Sequence, residues 1–269
     1  MVSPDRKARW EKRDNVAWLY IDAPESRNAL SVEVIRDVQV SLNEIKDVDE
    51  VGAVCITGAG DVAFCAGMNL KDLGRLNPDR PPLDVGPMHD AIRHFPKPTI
   101  AVVNGYCVGG GISLLANCDL AIASEEKGLF GLPEIIRGGP PGRAIGEIAH
   151  MIAVKHVFDL ILSGRNWDAH KAQAVGIINR VAPHAELEQA AQTWASDIGS
   201  FNQPALMYAK RTIHKILNIL PHDDRIETNS NMSVEMRADG HHGMFGGEGR
   251  SALAFIEKRS DSKATWREV

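Results

Sequence analysis

The period of the apolar positions changes several times along the chain, and each change marks an element. Asn15 to Asp22, NVAWLYID, is a half-alternating apolar run that reads as a strand. After the turn at residues 23–27, Ser31 is placed to cap a helix whose apolar positions include Val34, Val38, Leu42 and Ile45. Gly52 to Thr57, GAVCIT, is short and wholly apolar, as expected inside a parallel sheet. Residues 74–88 are rich in proline, lack periodicity and read as a surface loop or lid. A helix around His89 to Phe95 is ended by Pro96 and Pro98. Thr99–Val103 and Asp119–Ala123 are two further buried strands. Ala144 to Ser163 has a helical pattern, Asp168 to Gly176 reads as a capped helix ending at glycine, and Ile177–Val181 as a strand. Beyond Pro183 only helices are expected, over 186–218, 223–239 and 248–259. Strands alternating with helices, then helices alone, predict an α/β core over residues 1–200 and a helical part over 201–269.

Composition narrows the class. A chain of 269 residues with 44% hydrophobic content can bury roughly three quarters of its unfolded surface. No run of about 18 apolar residues suggests a membrane span, and the charged N-terminal stretch has no apolar core of a secretory signal. Cys55, Cys65, Cys107 and Cys118 lie in apolar segments without metal-ligand spacing. They are expected to be buried free thiols in a reducing, cytoplasmic compartment. A net charge of −5 offers no electrostatic reason to bind nucleic acid. No internal repeat is visible in the sequence.

The candidate chemistry lies between Asn104 and Gly142. The strand Thr99–Val103 leads to three consecutive glycines, Gly109 to Gly111, and then to ISLLA, which suits the first turns of a buried helix. Strand, glycine turn and helix start together can point backbone N–H groups at a ligand. Glu134 follows a proline in an otherwise apolar segment, and the glycine turn and this carboxylate are read as one active site.

PESRNAL (24–30), VGAVCITGAGDVAFCAGMNLKDL (51–73), KPTIAVVNGYCVGGGISLLANCDLAIA (97–123), FGLPEIIRGGPPG (130–142), ILSGRNWDAHKAQAVGIINRV (161–181) and FIEKR (255–259) run over most of the chain. In this order they resemble the crotonase superfamily, the enoyl-CoA hydratase/isomerase family. The resemblance implies an α/β spiral of ββα repeats with a helical C-terminal trimerisation region, and a homotrimer or dimer of trimers. It also implies an acyl-CoA thioester as substrate, with no cofactor beyond the coenzyme A of the substrate itself. Met68 and Gly110 match the two backbone N–H donors that stabilise an enolate. Two preorganised donors in a dry pocket lower such a barrier by several kcal/mol.

Hydratases of this family carry two glutamates. Here the first position is Ser113 and the second is Glu134. A carboxylate in an apolar pocket can be tuned toward neutrality and serve as acid and base in turn. Serine has no useful pKa near 7 and can only orient water, bond to substrate, or pack. The serine-plus-glutamate pattern is similar to that of hydroxycinnamoyl-CoA hydratase-lyases, which hydrate an aryl-alkenoyl thioester and then cleave it by a retro-aldol step. That subgroup has a tyrosine where this chain has Leu73, which speaks against a phenolic substrate. A single glutamate also resembles enoyl-CoA isomerases. Ser113 and Gly142 argue against the dienoyl isomerase pattern, and no aspartate between Ile135 and Ile145 supplies a dehalogenase nucleophile.

Arg27, Ala29, Ala66 and Lys71 fall in segments that line the CoA channel in the family, and Phe255 and Lys258 match a C-terminal pair reaching CoA on a neighbouring subunit. Cations there suit the phosphates of CoA. Arg137, Arg143 and Glu147 follow the glycine–glutamate segment and either line the pocket or cover a helix with charge; the second is expected. His241 and His242 would face opposite ways in a strand, and no metal site is expected. The helix over 31–50 sets Arg36 and Lys46 against six carboxylates, which argues against the lysine-rich RNA-binding variant of the fold. A non-catalytic acyl-CoA binder is the remaining alternative to an enzyme.

Overall fold

A computed structural model describes residues 6–70, 72, 83–139 and 141–217. The expected helices at 223–239 and 248–259 lie outside the described residues. Strands β1 (Ala8–Arg13), β2 (Val16–Ile21), β3 (Ala53–Gly58), β5 (Thr99–Val103), β7 (Leu120–Ser124) and β10 (Arg180–Ala182) form a six-stranded sheet in the order β1-β2-β3-β5-β7-β10. It is parallel apart from the β1–β2 pair. A second sheet holds β4 (Ala63–Cys65), β6 (Tyr106–Val108), β8 (Leu129–Gly131) and β9 (Trp167–Asp168), in that order.

The two sheets reveal a repetition absent from the sequence. β3 and β4, β5 and β6, and β7 and β8 each place one strand in the large sheet and the next in the small one. Helices α2 (Gly86–Arg93) and α3 (Gly110–Ala116) follow the first two pairs. A 3₁₀ turn (Pro133–Arg137) and α4 (Arg143–Ile148) follow the third. Each unit is a ββα turn of one spiral.

Both faces of the large sheet are covered, which is why its strands read as unbroken apolar runs. On β2, Ala17, Leu19 and Ile21 face the main core, while Val16, Trp18 and Tyr20 face the other way. Helix α7 (Leu187–Gly199) covers this second face with Leu187, Ala191 and Ala195. Helix α1 (Val32–Lys46) buries Val34, Val38, Leu42 and Ile45, and Ser31 caps it by accepting from Val34 N at 3.2 Å.

Three departures from the sequence pattern have local explanations. β1 was not expected, because its residues are mostly charged. As an edge strand it carries them outward, with Arg9 on Asp22 at 2.7 Å and Arg13 on Glu188 at 3.0 Å. The helix expected over 186–218 is two, α7 and α8 (Gln203–Leu217), because Asn202 Oδ1 accepts from Ala205 N at 2.9 Å and Pro204 suits a first turn. The helical stretch 144–163 is also broken, into α4 and α5 (Val154–Ser163), with Ala153 extended at ψ 138°. No breaker residue marks that interruption. α6 (Ala169–Val175) is as expected, capped by Asp168, which accepts from Lys171 N at 2.7 Å, and ended at Gly176 in the left-handed region.

Two buried asparagines hold the turns that frame the site. Asn28 donates to Ala59 O at 3.0 Å and Ala63 O at 2.7 Å, and accepts from Ala23 N at 3.1 Å. Asn104 donates to Gly58 O at 2.8 Å and Gly60 O at 2.7 Å. The turn after β3 is thereby tied both to the 23–30 segment and to the end of β5.

Candidate active site

Three backbone segments meet at the ends of the parallel strands. Gly67 has φ +90°, and a Cβ there would lie 2.9 Å from Val108 O and 3.0 Å from Gly110 N. A glycine is needed for so close an approach. From the other side the segment is held by 27–30: Ala66 N donates to Arg27 O at 3.1 Å, Leu30 N to Gly67 O at 2.7 Å, and Asn69 N to Leu30 O at 2.9 Å. The N–H of Met68, between those bonds, takes no part in this pairing. Gly110 begins α3, where an amide has no carbonyl four residues back within the helix. A Cβ at Gly110 would lie 3.4 Å from Met68 N. The two N–H groups expected to work together are therefore neighbours.

Glu134 comes to the same place through β8. Gly109 N donates to Gly131 O at 2.9 Å, which locks the glycine loop to the end of that strand three residues before the glutamate. Pro133 opens the 3₁₀ turn and Gly138, at φ 85°, closes it. The carboxylate lies against bare backbone: a Cβ at Gly109 would be 2.8 Å from Glu134 Oε1. The residue as a whole is only half-buried, yet its Oε2 is cut off from solvent and has no hydrogen-bond partner among the described residues. Burial drives its pKa up from 4.5 to about 7, against the opposing pull of its own backbone N–H and the charge of Arg137.

Ser113, one turn beyond Gly110, is 3% exposed, and its side chain interacts with a second carboxylate that was expected on the surface. Glu147, on α4, is buried. Its Oε1 accepts from Asn117 Nδ2 at 2.8 Å and from Arg143 Nε at 2.9 Å, and lies 3.6 Å from His89 Nδ1 on α2. Burial raises its pKa, while Ser113, Asn117 and Arg143 act in the opposite direction. Arg143 also bonds Asp90 at 3.1 Å. Arg143 and Glu147 do not merely cover a helix with charge, for a reason of packing: α4 lies against α3, so this face of the helix points inward. The signal available was the apolar set Ala144, Ile148 on the same short helix, both buried.

Of the other expected positions, Ala29 is buried, Ala66 is partly buried, and Arg27 is at φ 57° beside them; all three belong to the paired segments that hold Met68. Lys71, Phe255 and Lys258 lie outside the described residues, as do His241 and His242. All four cysteines are free thiols, three of them buried. No described helix is long and apolar enough to cross a membrane.

A spiral of ββα units that brings Met68 N, Gly110 N and the partly buried Glu134 together defines the class, and comparison with known proteins agrees. The sequence profile of the enoyl-CoA hydratase/isomerase family matches residues 11–268. A probable mitochondrial enoyl-CoA hydratase of Dictyostelium discoideum is 32% identical over 259 residues, covering 95% of this chain and 89% of the relative. A hydroxycinnamoyl-CoA hydratase-lyase of Pseudomonas fluorescens is 33% identical over 224 residues, covering 76% and 78%. Among solved structures, a carnitinyl-CoA hydratase from Mycobacterium avium superposes with a TM-score of 0.77 at 32% identity, covering 94% of this chain and 96% of that one. The chain belongs to the enoyl-CoA hydratase/isomerase family of the crotonase superfamily.

Proposed function

We propose that the protein is a hydro-lyase that adds water across the double bond of an enoyl-CoA thioester. The observation that carries this reading is the Glu134 carboxyl, poised near neutral pH against the glycine loop beside Met68 N and Gly110 N. The thioester carbonyl oxygen accepts from those two N–H groups, and they hold the negative charge of the enolate as it develops. Water attacks C3, and the resulting enolate is protonated at C2. Glu134, with a pKa raised to about 7, exchanges the protons at the two ends. Arg27, Ala29, Ala66, Lys71, Phe255 and Lys258 are assigned to the CoA portion of the substrate, and no cofactor is required. Retro-aldol cleavage of the β-hydroxy product would extend the same enolate chemistry. Isomerisation of the double bond by Glu134 alone is the second reading, favoured by the serine at 113.

The test is a panel of enoyl-CoA thioesters, with products identified by mass spectrometry in oxygen-labelled water. Hydration incorporates the label, isomerisation exchanges only protons, and cleavage releases acetyl-CoA. Tight CoA binding with no turnover of any thioester would sink the enzymatic reading and leave a binder.

We also place the protein in the cytoplasm, in keeping with its buried thiols, and assign it an oligomer of its own chain. Val154, Phe158 and Leu162 form one stripe on α5, exposed by 62%, 54% and 65%, beside the turn that bears Glu134. Apolar stripes of this kind mark association surfaces. Sedimentation should give a trimer or hexamer, and Phe158→Glu should lower the mass; a monomeric native protein would rule the assignment out.

A further inference from the structure

The polar cluster around Glu147 is not explained by the chemistry above. It joins three elements, with His89 and Asp90 on α2, Ser113 on α3 and Asn117 capping its C-terminal end, and Arg143 and Glu147 on α4. Both donors that reach the carboxylate, Asn117 Nδ2 and Arg143 Nε, use the same oxygen, Oε1. The other, Oε2, is buried and has no partner within bonding distance among the described residues, although the Ser113 hydroxyl is close enough to favour the charged form. An acceptor left open in this way carries a desolvation cost, larger when it is charged. A bound donor removes that cost.

The position of the open oxygen is specific. Ser113 lies four residues along α3 from Gly109, about 6 Å at the rise of a helix, and Gly109 is where the Glu134 carboxylate rests. Two carboxylates, each with one oxygen cut off from solvent, are therefore disposed along one short helix. Glu134 sits at its glycine end. Glu147 sits a turn further on, opposite the residue that stands where related hydratases carry their second glutamate.

We propose that Glu147 and Ser113 together form a hydroxyl-binding subsite that holds the water added to the substrate, and the β-hydroxyl of the hydrated thioester in the reverse direction. Oε2 of Glu147 accepts one hydrogen of that water, Ser113 Oγ makes a second contact, and Asn117 and Arg143 fix the carboxylate by its other oxygen. Glu147 thus supplies from α4 the carboxylate that position 113 lacks, while proton transfer stays with Glu134. The proposal rests on the hydration reading.

The experiment compares two reactions of the same protein. Hydration, followed with crotonyl-CoA or the best thioester of the panel, needs the water subsite. Exchange of the α-protons of butyryl-CoA with deuterated water needs only the paired N–H groups and Glu134. Glu147→Gln keeps an acceptor for Asn117 and Arg143 but puts an NH₂ donor where Oε2 stood. Ser113→Ala removes one hydroxyl. In both, the ratio of hydration to exchange should fall at least about tenfold, the scale of losing a positioned polar contact to a reacting group. The double variant should be no worse than the more impaired single one, since the two residues act as a unit. If Glu147→Gln fails to fold, Ser113→Ala decides the matter. An unchanged ratio in either folded variant, with hydration intact in the native protein, overturns the subsite alone; a native protein that exchanges α-protons but hydrates no thioester overturns the hydration reading. A native protein that does neither overturns the hydration reading itself.

Discussion

Glu134→Gln should lose nearly all catalysis and yet give a more stable protein above neutral pH. Removing a positioned general acid–base typically costs roughly 10²–10⁴-fold in rate. The stability effect follows from the carboxyl's raised pKa, about 7 in the folded protein against an ordinary value of 4.5. The folded state holds this proton more tightly than the unfolded chain does. Below pH 4.5 both states are protonated and the carboxyl carries no penalty. Between 4.5 and 7 the unfolded chain gains by ionising first, so stability falls as pH rises. Above 7 both are ionised and the penalty is complete. At 1.36 kcal/mol per pH unit the gap amounts to about 3 kcal/mol. Glutamine stays neutral and escapes it. Some of the gain is lost because Arg137, whose own pKa is lowered by the same burial, no longer faces a carboxylate. Urea unfolding of both proteins at pH 4 and pH 8.5 checks the sign: the difference should open only at the higher pH. Equal stability at both would remove burial as the cause of the raised pKa.

Gly110→Ala should leave the fold intact and lower kcat/KM by about 10²–10³, the cost of losing one oxyanion donor. Space permits the methyl group. Its nearest neighbours would be Leu30 Cδ1 at 3.3 Å, a flexible side-chain end, and Gly67 Cα and Met68 N at 3.4 Å. It would thus stand directly beside the second donor, where the substrate carbonyl has to approach. Gly67→Ala is the contrasting variant. There the backbone is at φ +90° and the new Cβ would meet Val108 O at 2.9 Å and Gly110 N at 3.0 Å, so the damage falls on stability. Thermal melts alongside kinetics separate the two. A fully active Gly110→Ala protein would dismiss Gly110 N–H as a donor to the transition state.

Much of this was legible from the chain because its signals are local. Ser31 and Asp168 cap helices through bonds to residues three positions on. Buried parallel strands announce themselves as unbroken apolar runs, since both of their faces are covered. The glycine triplet and the proline–glutamate pair could be joined into one site through family motifs, and the structure puts Glu134 Oε1 against Gly109. The three-residue strands β6 and β8 escaped notice, being too short for a period and defined only by their pairing across the small sheet.

The sequence by itself determined the architecture and the capped helices, and it singled out Met68, Gly110 and Glu134, which the structure brings close together, because each depends on residues that are neighbours or belong to a recognisable motif. Only the tertiary structure decided the state of Glu147. Its surroundings come from Asn117, thirty positions earlier, and from His89, still further back on another helix. An arginine–glutamate pair at i,i+4 looks the same on paper whether its helix faces water or core. Packing of α4 on α3 makes it a buried carboxylate with one oxygen left open.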